Sequence, residues 1–502
     1  MGIPSYFRRI LQKYPGCLSK PSNEIDILCF DFNCLMYRCL RSPSLRPFPE
    51  DLEDQDQWER EFIQEICKCV KEIVGESGKP KQVFIAVDGV VPMAKIRQQR
   101  VRRFKSAWLR KATTGFDSNA LTPGTKFMNK LCFSLTEMAS QRVGWEVSGV
   151  QEHGEGEHKI LRWLRMHSTD VKGKSVAVYG LDADLILLSM LVSEQTGCGI
   201  WLLREQQEFG GGKPSQQTEK QVYQWMNLAA FKDRLGLSSQ HDVLNYIALM
   251  SLMGNDFLPH SVTHKLNDNG HEYVLDEVKR GTNIVDEAGT LQLDVLKGVF
   301  QRWATDETEK FLEMIHKKRD QAKRGVLPGM EEQEGLPLQW DVEAPFCKGR
   351  ELVSEWKELY WKHINPSQGI RAKQRICEEY IFGCQWILDY YSGKEVDVHW
   401  MFPSWIPPLW SDLASHCVYV QKEMCKEPAP KPEEQLAMVL PLESWGLIDD
   451  RHLRHLPSLA PQLWPLEFGF MSFGRKWLWE CEARLPPFTA GRLREILNTI
   501  QQ

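Results

Sequence analysis

The sequence predicts an α/β protein: a parallel or mixed central sheet flanked by helices, with a largely helical, aromatic-rich C-terminal region packed on it. Three observations predict it. Over the first 260 residues, short apolar runs of β type alternate with longer stretches of helical period. Several of those runs end in Asp, where a parallel sheet binds ligands, beyond the carboxyl ends of its strands. Near Thr305 the texture changes, first to mixed charge and then to dense aromatics.

Taken in order, the strand candidates are Ile25 to Phe30, Gln82 to Val87 and Ser175 to Tyr179, each short and ending in Asp or in Gly-Leu-Asp. Between them lie helical patterns such as Trp58 to Ile73 and His158 to Met166. The stretch from Thr305 to Gln339 contains EMIHKKRDQAKRG and then GMEEQEGLP, which reads as a solvated helix followed by a linker. After it, Glu351 to Leu413 carries YIFGCQWILDYYSG and WMFPSWIPPLW; for most of these aromatics core packing is the expected use. The division expected is an N-terminal α/β region over 1–300, a charged helix and linker over 301–345, and an aromatic-rich region over 346–502. No internal repeat is present, which argues against solenoids and arrays.

Bulk composition narrows the classes. At 502 residues and 42% apolar the chain can bury a large core. A net charge of −5 means that any nucleic-acid binding must come from a local basic patch. The fourteen cysteines include no Cys-x-x-Cys pair, and Cys67 and Cys69 are too close for a zinc knuckle, so reduced thiols of an intracellular protein are expected. The N-terminus lacks an apolar signal core and no run approaches a membrane span, which gives the cytoplasm as the default location, with the nucleus also open, and no membrane partner. Gly2 does not read as a myristoylation site, because Tyr6 stands where Ser or Thr is needed.

The most informative feature is a set of carboxylates at or near the ends of apolar runs: Asp31, Asp88, Glu155, Glu157, Asp182, Asp184 and Asp256. A lone strand-end Asp is more often a helix N-cap than a ligand. Seven are harder to dismiss, because gathered carboxylates repel one another unless a cation sits among them. Asp182 and Asp184 are spaced i, i+2, which in extended chain points both to one side, and Glu155 and Glu157 share that spacing. Gly154 and Gly156 leave the backbone free to bend around an ion. Oxygen donors imply a hard ion, Mg²⁺ or Mn²⁺, and two such ions together suit phosphodiester hydrolysis.

Seven residues after Asp88 begins KIRQQRVRRFKSAWLRK, with eight cations and no acid. A charge run of this kind is usually a solvated helix face. Here Lys95, Gln99, Arg102 and Arg103 fall at i, i+4, i+7 and i+8, one stripe of a helix. Arg forks, a Lys point charge and an amide suit a terminal phosphate, so a 5′-monophosphate pocket beside a metal centre is expected.

The segments MGIPSYFRR, DFNCLMY, VDGVVPMAKIRQQRVRRF, LTPGTKFM, GEGEHK, YGLDADL and LMGNDFLPH closely resemble the Xrn family of 5′-to-3′ exoribonucleases. The likeness continues through YIFGCQWILDYYSG, FPSWIPPLWSDL, PEEQLAMVLP and LPPFTAGRLREIL, so it covers both regions of the family's catalytic body. The resemblance implies a fold like that of PIN and flap nucleases, with the seven acids as the metal site and Lys95, Gln99, Arg102 and Arg103 as the 5′-monophosphate pocket. It further implies processive release of nucleoside 5′-monophosphates from single-stranded 5′-monophosphorylated RNA by a monomer, with decapping or RNA-processing factors as partners.

Two departures stand out. Where the family's first motif has Gly and a base-stacking His, this chain has Cys34 and Tyr37, and Tyr37 can stack as well. The family's opposing Trp corresponds to Trp477 or Trp479, with Trp479 preferred. The second departure is length, since the sequence ends at Gln502, just past the catalytic body, without the further domains of larger members. His158 and Lys159 are expected to orient a ligand or RNA backbone, whereas His260, His264 and His271 fit no zinc spacing. Two alternatives compete: a structure-specific flap-type nuclease, disfavoured by the Lys-Gln-Arg-Arg stripe, and an inactive RNA-binding scaffold, disfavoured by the full set of acids.

Overall fold

Six strands form the central sheet in the order β3-β2-β1-β4-β5-β6. They are β1 (Ile27–Asp31), β2 (Gln82–Ala86), β3 (Trp145–Ser148), β4 (Ser175–Tyr179), β5 (Gly199–Glu205) and β6 (Tyr223–Asn227). Neighbours from β3 to β5 run parallel, and β6 closes one edge antiparallel to β5. The computed structural model describes residues 6–110, 115–206, 222–327, 330, 335–364 and 370–500. Gly2, Lys111 and part of GMEEQEGLP therefore lie outside the described residues.

Strand order places the site. From β1 the chain winds outward through β2 to β3, then returns to the other side of β1 for β4 and β5. Such a reversal opens a crevice at the carboxyl edge between the two central strands. Asp31 is the last residue of β1, paired with Ala86 of β2, and Asp182 and Asp184 follow the end of β4. All five residues of β1 are buried, and their alternation feeds two cores. Ile27 and Cys29 join Val176 and Val178 on one face, Leu28 and Phe30 join Ala177 and Tyr179 on the other.

The α/β reading of the sequence matches this architecture, with three strands added. Trp145–Ser148, Gly199–Glu205 and Tyr223–Asn227 lie toward the sheet edges, where exposed Glu146 and half-buried Gln224 break the apolar run. The helix foreseen over Trp58 to Ile73 extends over Leu52–Glu76, opened by the Asp51 carboxylate accepting from the Glu53 N–H.

The C-terminal region is joined to the sheet by shared cores. In the helix Ile370–Ser392, Ile376, Tyr380, Ile387 and Tyr391 enter the same apolar cluster as Ile27 and Val176. The helix Pro432–Val439 packs Leu436 and Val439 on Met93, Ile96 and Phe104 of the basic helix Met93–Leu109. One expectation is corrected. The charged stretch after Thr305 forms the helix Glu307–Gln321, which is not solvated all round: Phe311, Met314 and Ile315 are buried against Phe346, Trp356 and Tyr360. Its buried Lys318 pairs with buried Glu343 at 2.8 Å, a charged pair hidden under a face that reads as polar in sequence. Among the described residues no helix is long and apolar enough to cross a membrane.

Candidate active site

The seven carboxylates come from five places in the chain and meet at the carboxyl edge of the sheet. Asp88, just beyond β2, is clamped on three sides: the Asn33 amide donates to Oδ2 (2.8 Å), Asp88 N–H donates to Asn33 Oδ1 (3.1 Å), and Gly156 N–H donates to Oδ1 (2.7 Å). Glu155 is the N-cap of the helix Gly156–Met166 and Glu157 lies in its first turn. Asp184 directly precedes the helix Leu185–Thr196. Asp256 follows the helix Gln240–Ser251, in a turn fixed by Asn255 Oδ1 accepting from the N–H groups of Phe257 and Leu258.

This differs from the extended-chain argument for the paired acids. Glu155 and Glu157 straddle a helix start, and Asp182 and Asp184 occupy the turn that enters a helix. Both pairs converge because helix N-termini aim at the crevice, where the helix dipole also favours negative charge. Gly156 serves space more than flexibility: a Cβ there would stand 2.7 Å from Asp31 Oδ1 and 2.8 Å from the Ala86 carbonyl. Gly154, at φ +113°, is the glycine of the pair that backbone conformation demands. Gly180 likewise has no room for a side chain beside Asp31 and Leu185.

Electrostatics show how costly the gathering is. Burial, then Asp88, Asp182 and Asp184, push the Asp31 carboxyl well above its ordinary range, and burial with Asp184 does the same to Glu157. Burial and neighbouring Asp182 raise Asp184 to about 7. Lys95 is a buried countercharge, with Nζ 2.5 Å from Glu155 and 2.6 Å from Asp256. Burial opposes the ammonium, but Asp256 and Glu155 hold it protonated well above the usual range. Burial opposes ionisation of Asp256 too, yet Lys95 outweighs it and leaves that carboxyl at about 2.

The residues present fit a hard divalent ion. Carboxylate oxygens of Glu157, Asp182 and Asp184 lie within 4.8 Å of one another, and Asp184 Oδ1 is buried without a hydrogen-bond partner among the described residues. A second group of the same spacing joins Glu155, Glu157 and His158. Oxygen-rich donors of this kind suit hard divalent cations in preference to soft metals.

The basic stripe lies on the helix Met93–Leu109, next to these acids. Lys95, Gln99 and Arg103 are buried and Arg102 is half-buried. Only Arg102 of the four lines a cavity of about 450 Å³, together with Gln98, Asp256 and Trp479. Other cations of the run are committed elsewhere. Arg97 donates to the carbonyls of Phe402 and Ser404 and lies over the Trp405 ring, Arg100 donates to Met438 and Leu463, and Lys105 to Trp479 and Cys481. Three of the eight cations of the run thus anchor the C-terminal region.

Tyr37 projects from the helix Asn33–Cys39 and is 38% exposed, and Trp479 is 41% exposed. Trp479 stacks on Trp477 with ring centroids 4.7 Å apart and planes 10° from parallel, and of the two only Trp479 lines the cavity. His158 packs on Tyr390 at 3.9 Å between ring centroids, and Tyr390 donates to Glu155 Oε2 (3.3 Å). Lys159 departs from the role expected of it: its ammonium is buried and donates to the Val87 and Gly149 carbonyls, bracing the Asp88 turn. His260, His264 and His271 are separated into three networks, with Arg475, with Trp410 and Asp306, and with Tyr246. Asn33, Tyr390 and Gly180 carry site geometry that residue-type reasoning passed over, although DFN, LDYYSG and YGLD sit inside the motifs already singled out.

Comparison with known proteins identifies the family. Residues 1–206 match the family described as XRN 5′-3′ exonuclease N-terminus, and residues 350–502 match the Xrn1 helical domain. A human 5′-3′ exoribonuclease 1 is 26% identical over 99% of this chain and 34% of its own length. A 5′-3′ exoribonuclease 1 of Saccharomyces cerevisiae is 30% identical over 58% of the chain and 22% of its own length. A 5′-3′ exoribonuclease 2 of Kluyveromyces lactis is 27% identical over 65% and 42% respectively. The chain therefore spans between about a fifth and two fifths of these relatives. Two family matches in order, on a sheet whose carboxyl edge gathers seven acids, establish that the chain belongs to the Xrn family of 5′-3′ exonucleases.

Proposed function

We propose that this protein hydrolyses single-stranded RNA from a 5′-monophosphorylated end, releasing nucleoside 5′-monophosphates, with Mg²⁺ or Mn²⁺ as cofactor. The observation that carries the proposal is Lys95, which touches two of the seven acids while standing one turn from Gln99 on the stripe of Arg102 and Arg103. Acid site and phosphate stripe are thus continuous, so a bond broken at the acids lies a short, fixed distance from a held end.

Asp31, Asp88, Glu155, Glu157, Asp182, Asp184 and Asp256 are the residues that would hold the metal. A divalent ion supplies Lewis-acid stabilisation of phosphoryl charge and a nucleophile at neutral pH. The rest is done by the chain. Asn33 and the Gly156 N–H fix the Asp88 carboxylate, and Tyr390 restrains Glu155. Lys95, Gln99, Arg102 and Arg103 grip the terminal phosphate, fixing which phosphodiester reaches the acids. Tyr37 and Trp479 stack on leading bases, which tolerates any sequence.

The test is direct. The same RNA is offered with a 5′-monophosphate, 5′-triphosphate or 5′-hydroxyl, in Mg²⁺ or EDTA, and products are resolved by size. Mononucleotides from the monophosphate RNA alone, lost in EDTA, are expected; internal cuts, or equal turnover of all three ends, would overturn the reading in favour of a flap-type nuclease.

A further inference from the structure

Arg103 is held by a chain of buried polar groups that the acids and the basic stripe do not account for. Its Nη1 donates to Asn119 Oδ1 (3.1 Å) and to Thr122 Oγ1. Thr122 Oγ1 donates in turn to the Asn119 carbonyl (2.6 Å), and Asn119 Nδ2 donates to Ser444 Oγ (2.8 Å). All four residues are buried, Thr122 completely. Ser444 lies in the C-terminal region, and the same loop is pressed against that region at Gly124, where a Cβ would stand 2.8 Å from the Pro432 carbonyl.

A guanidinium bound through Nη1 keeps its Nε and Nη2 edge, the pair of parallel donors that matches two phosphate oxygens. Arg103 Nε is buried and has no partner among the described residues. A buried donor left unpaired is costly unless a ligand completes it. One turn away on the same helix face, Gln99 Oε1 is also buried and without a partner among the described residues. The helix alone does not impose this: a long Arg side chain has several rotamers, and fixing one takes acceptors on the far side. Those acceptors come from the Asn119 to Thr122 loop, and their own orientation comes from Ser444.

We infer that Thr122, Asn119 and Ser444 are positioning residues that aim the Nε and Nη2 edge of Arg103 at the 5′-terminal phosphate, so that the C-terminal region completes 5′-end selection. This rests on the proposed function, since it presumes that the stripe binds a terminal phosphate. It predicts that removing one hydroxyl that is not part of the acid cluster weakens recognition of the 5′ phosphate without touching the chemistry.

The test compares Thr122→Val, nearly isosteric but without the acceptor, with Thr122→Ser, which restores it, and with Ser444→Ala. Binding of a 5′-monophosphate and a 5′-hydroxyl oligoribonucleotide is measured in EDTA, alongside kcat and KM in Mg²⁺ and a thermal melt. T122V should lose about tenfold in preference for the monophosphate, the scale of one hydrogen bond to a charged group. Its KM for monophosphate RNA should rise with kcat nearly unchanged, T122S should recover the preference, and S444A should lose about threefold, on the order of one neutral hydrogen bond. A folded T122V that keeps the parent's preference overturns the inference while leaving the pocket standing. If T122V does not fold, an unchanged preference in S444A overturns it equally. A parent protein with no preference for the monophosphate overturns the pocket itself, and the inference with it.

Discussion

The acid cluster and the basic helix carry opposite charge in comparable number, yet they are satisfied in opposite ways. The carboxylates have few protein partners for their charge: Lys95 serves Glu155 and Asp256, while Asp31, Glu157 and Asp184 are left raising one another's pKa. The cations mostly have partners, because Arg97, Arg100 and Lys105 each reach backbone carbonyls of the C-terminal region. What the difference teaches is that a charge run does not measure a binding surface. Unspent atoms are the better guide, and on the helix these include Arg102 and the Nε of Arg103.

The comparison breaks first at Asp184. Asp184→Asn should reduce turnover of monophosphate RNA on the order of 10³-fold or more, the scale of losing a group that stabilises transition-state charge. In EDTA the same variant should melt higher than the parent at pH 8, because it removes a charge from a repelling cluster. The pH dependence has a definite sign. A carboxyl raised to about 7 in the fold binds a proton that the unfolded chain has already released, so this group costs stability as pH rises from about 4 to about 7. Metal-free protein should therefore lose stability between pH 6 and 8, and Mg²⁺ should restore most at pH 8. Melts at both pH values with and without Mg²⁺ check this; a parent that gains stability with pH in EDTA contradicts it.

Next come two arginines of one helix. Arg100→Ala strips donors from the Met438 and Leu463 carbonyls and packing from Phe104 and Phe488, and should cost about 3 kcal/mol in denaturant unfolding. Arg102→Ala, with no hydrogen bond or ion pair among the described residues, should change stability by less than about 0.5 kcal/mol. It should nevertheless lower 5′-monophosphate preference by about 10- to 100-fold. Equal effects of both substitutions on stability would erase the distinction between anchoring and binding cations.

The smallest expected effect separates the two tryptophans. Trp479→Ala should raise KM for RNA by the equivalent of about 1 to 2 kcal/mol, the worth of one base stack. Trp477→Ala should cost less, because it loses only its support of the Trp479 ring. Steady-state kinetics on one homopolymer RNA decide the order; a larger effect at Trp477 reassigns the stacking face.

Much of the fold was legible because β1, β2 and β4 are buried on both faces and so read as uninterrupted apolar runs. β3, β5 and β6 were not, since strands toward an edge need only half of that pattern. The helix Glu307–Gln321 misled for a related reason: its apolar residues Phe311, Met314 and Ile315 are sparse among charges, and Lys318 is buried with a partner 25 residues away. In the site, all seven acids were legible by type and position. Lys159 was not, because an ammonium that braces two carbonyls and one that meets a phosphate look alike in sequence.

The sequence by itself determined which chemistry is present: acids at strand ends, a cationic helix after β2, and a motif order that fixes the family. Tertiary structure alone decided which charges are spent. Whether a carboxylate meets Lys95, or an arginine meets the Met438 carbonyl, depends on groups more than a hundred residues apart being brought within 3 Å. Local pattern holds no information on such a distance, because it is set by how two cores share one sheet and one helix.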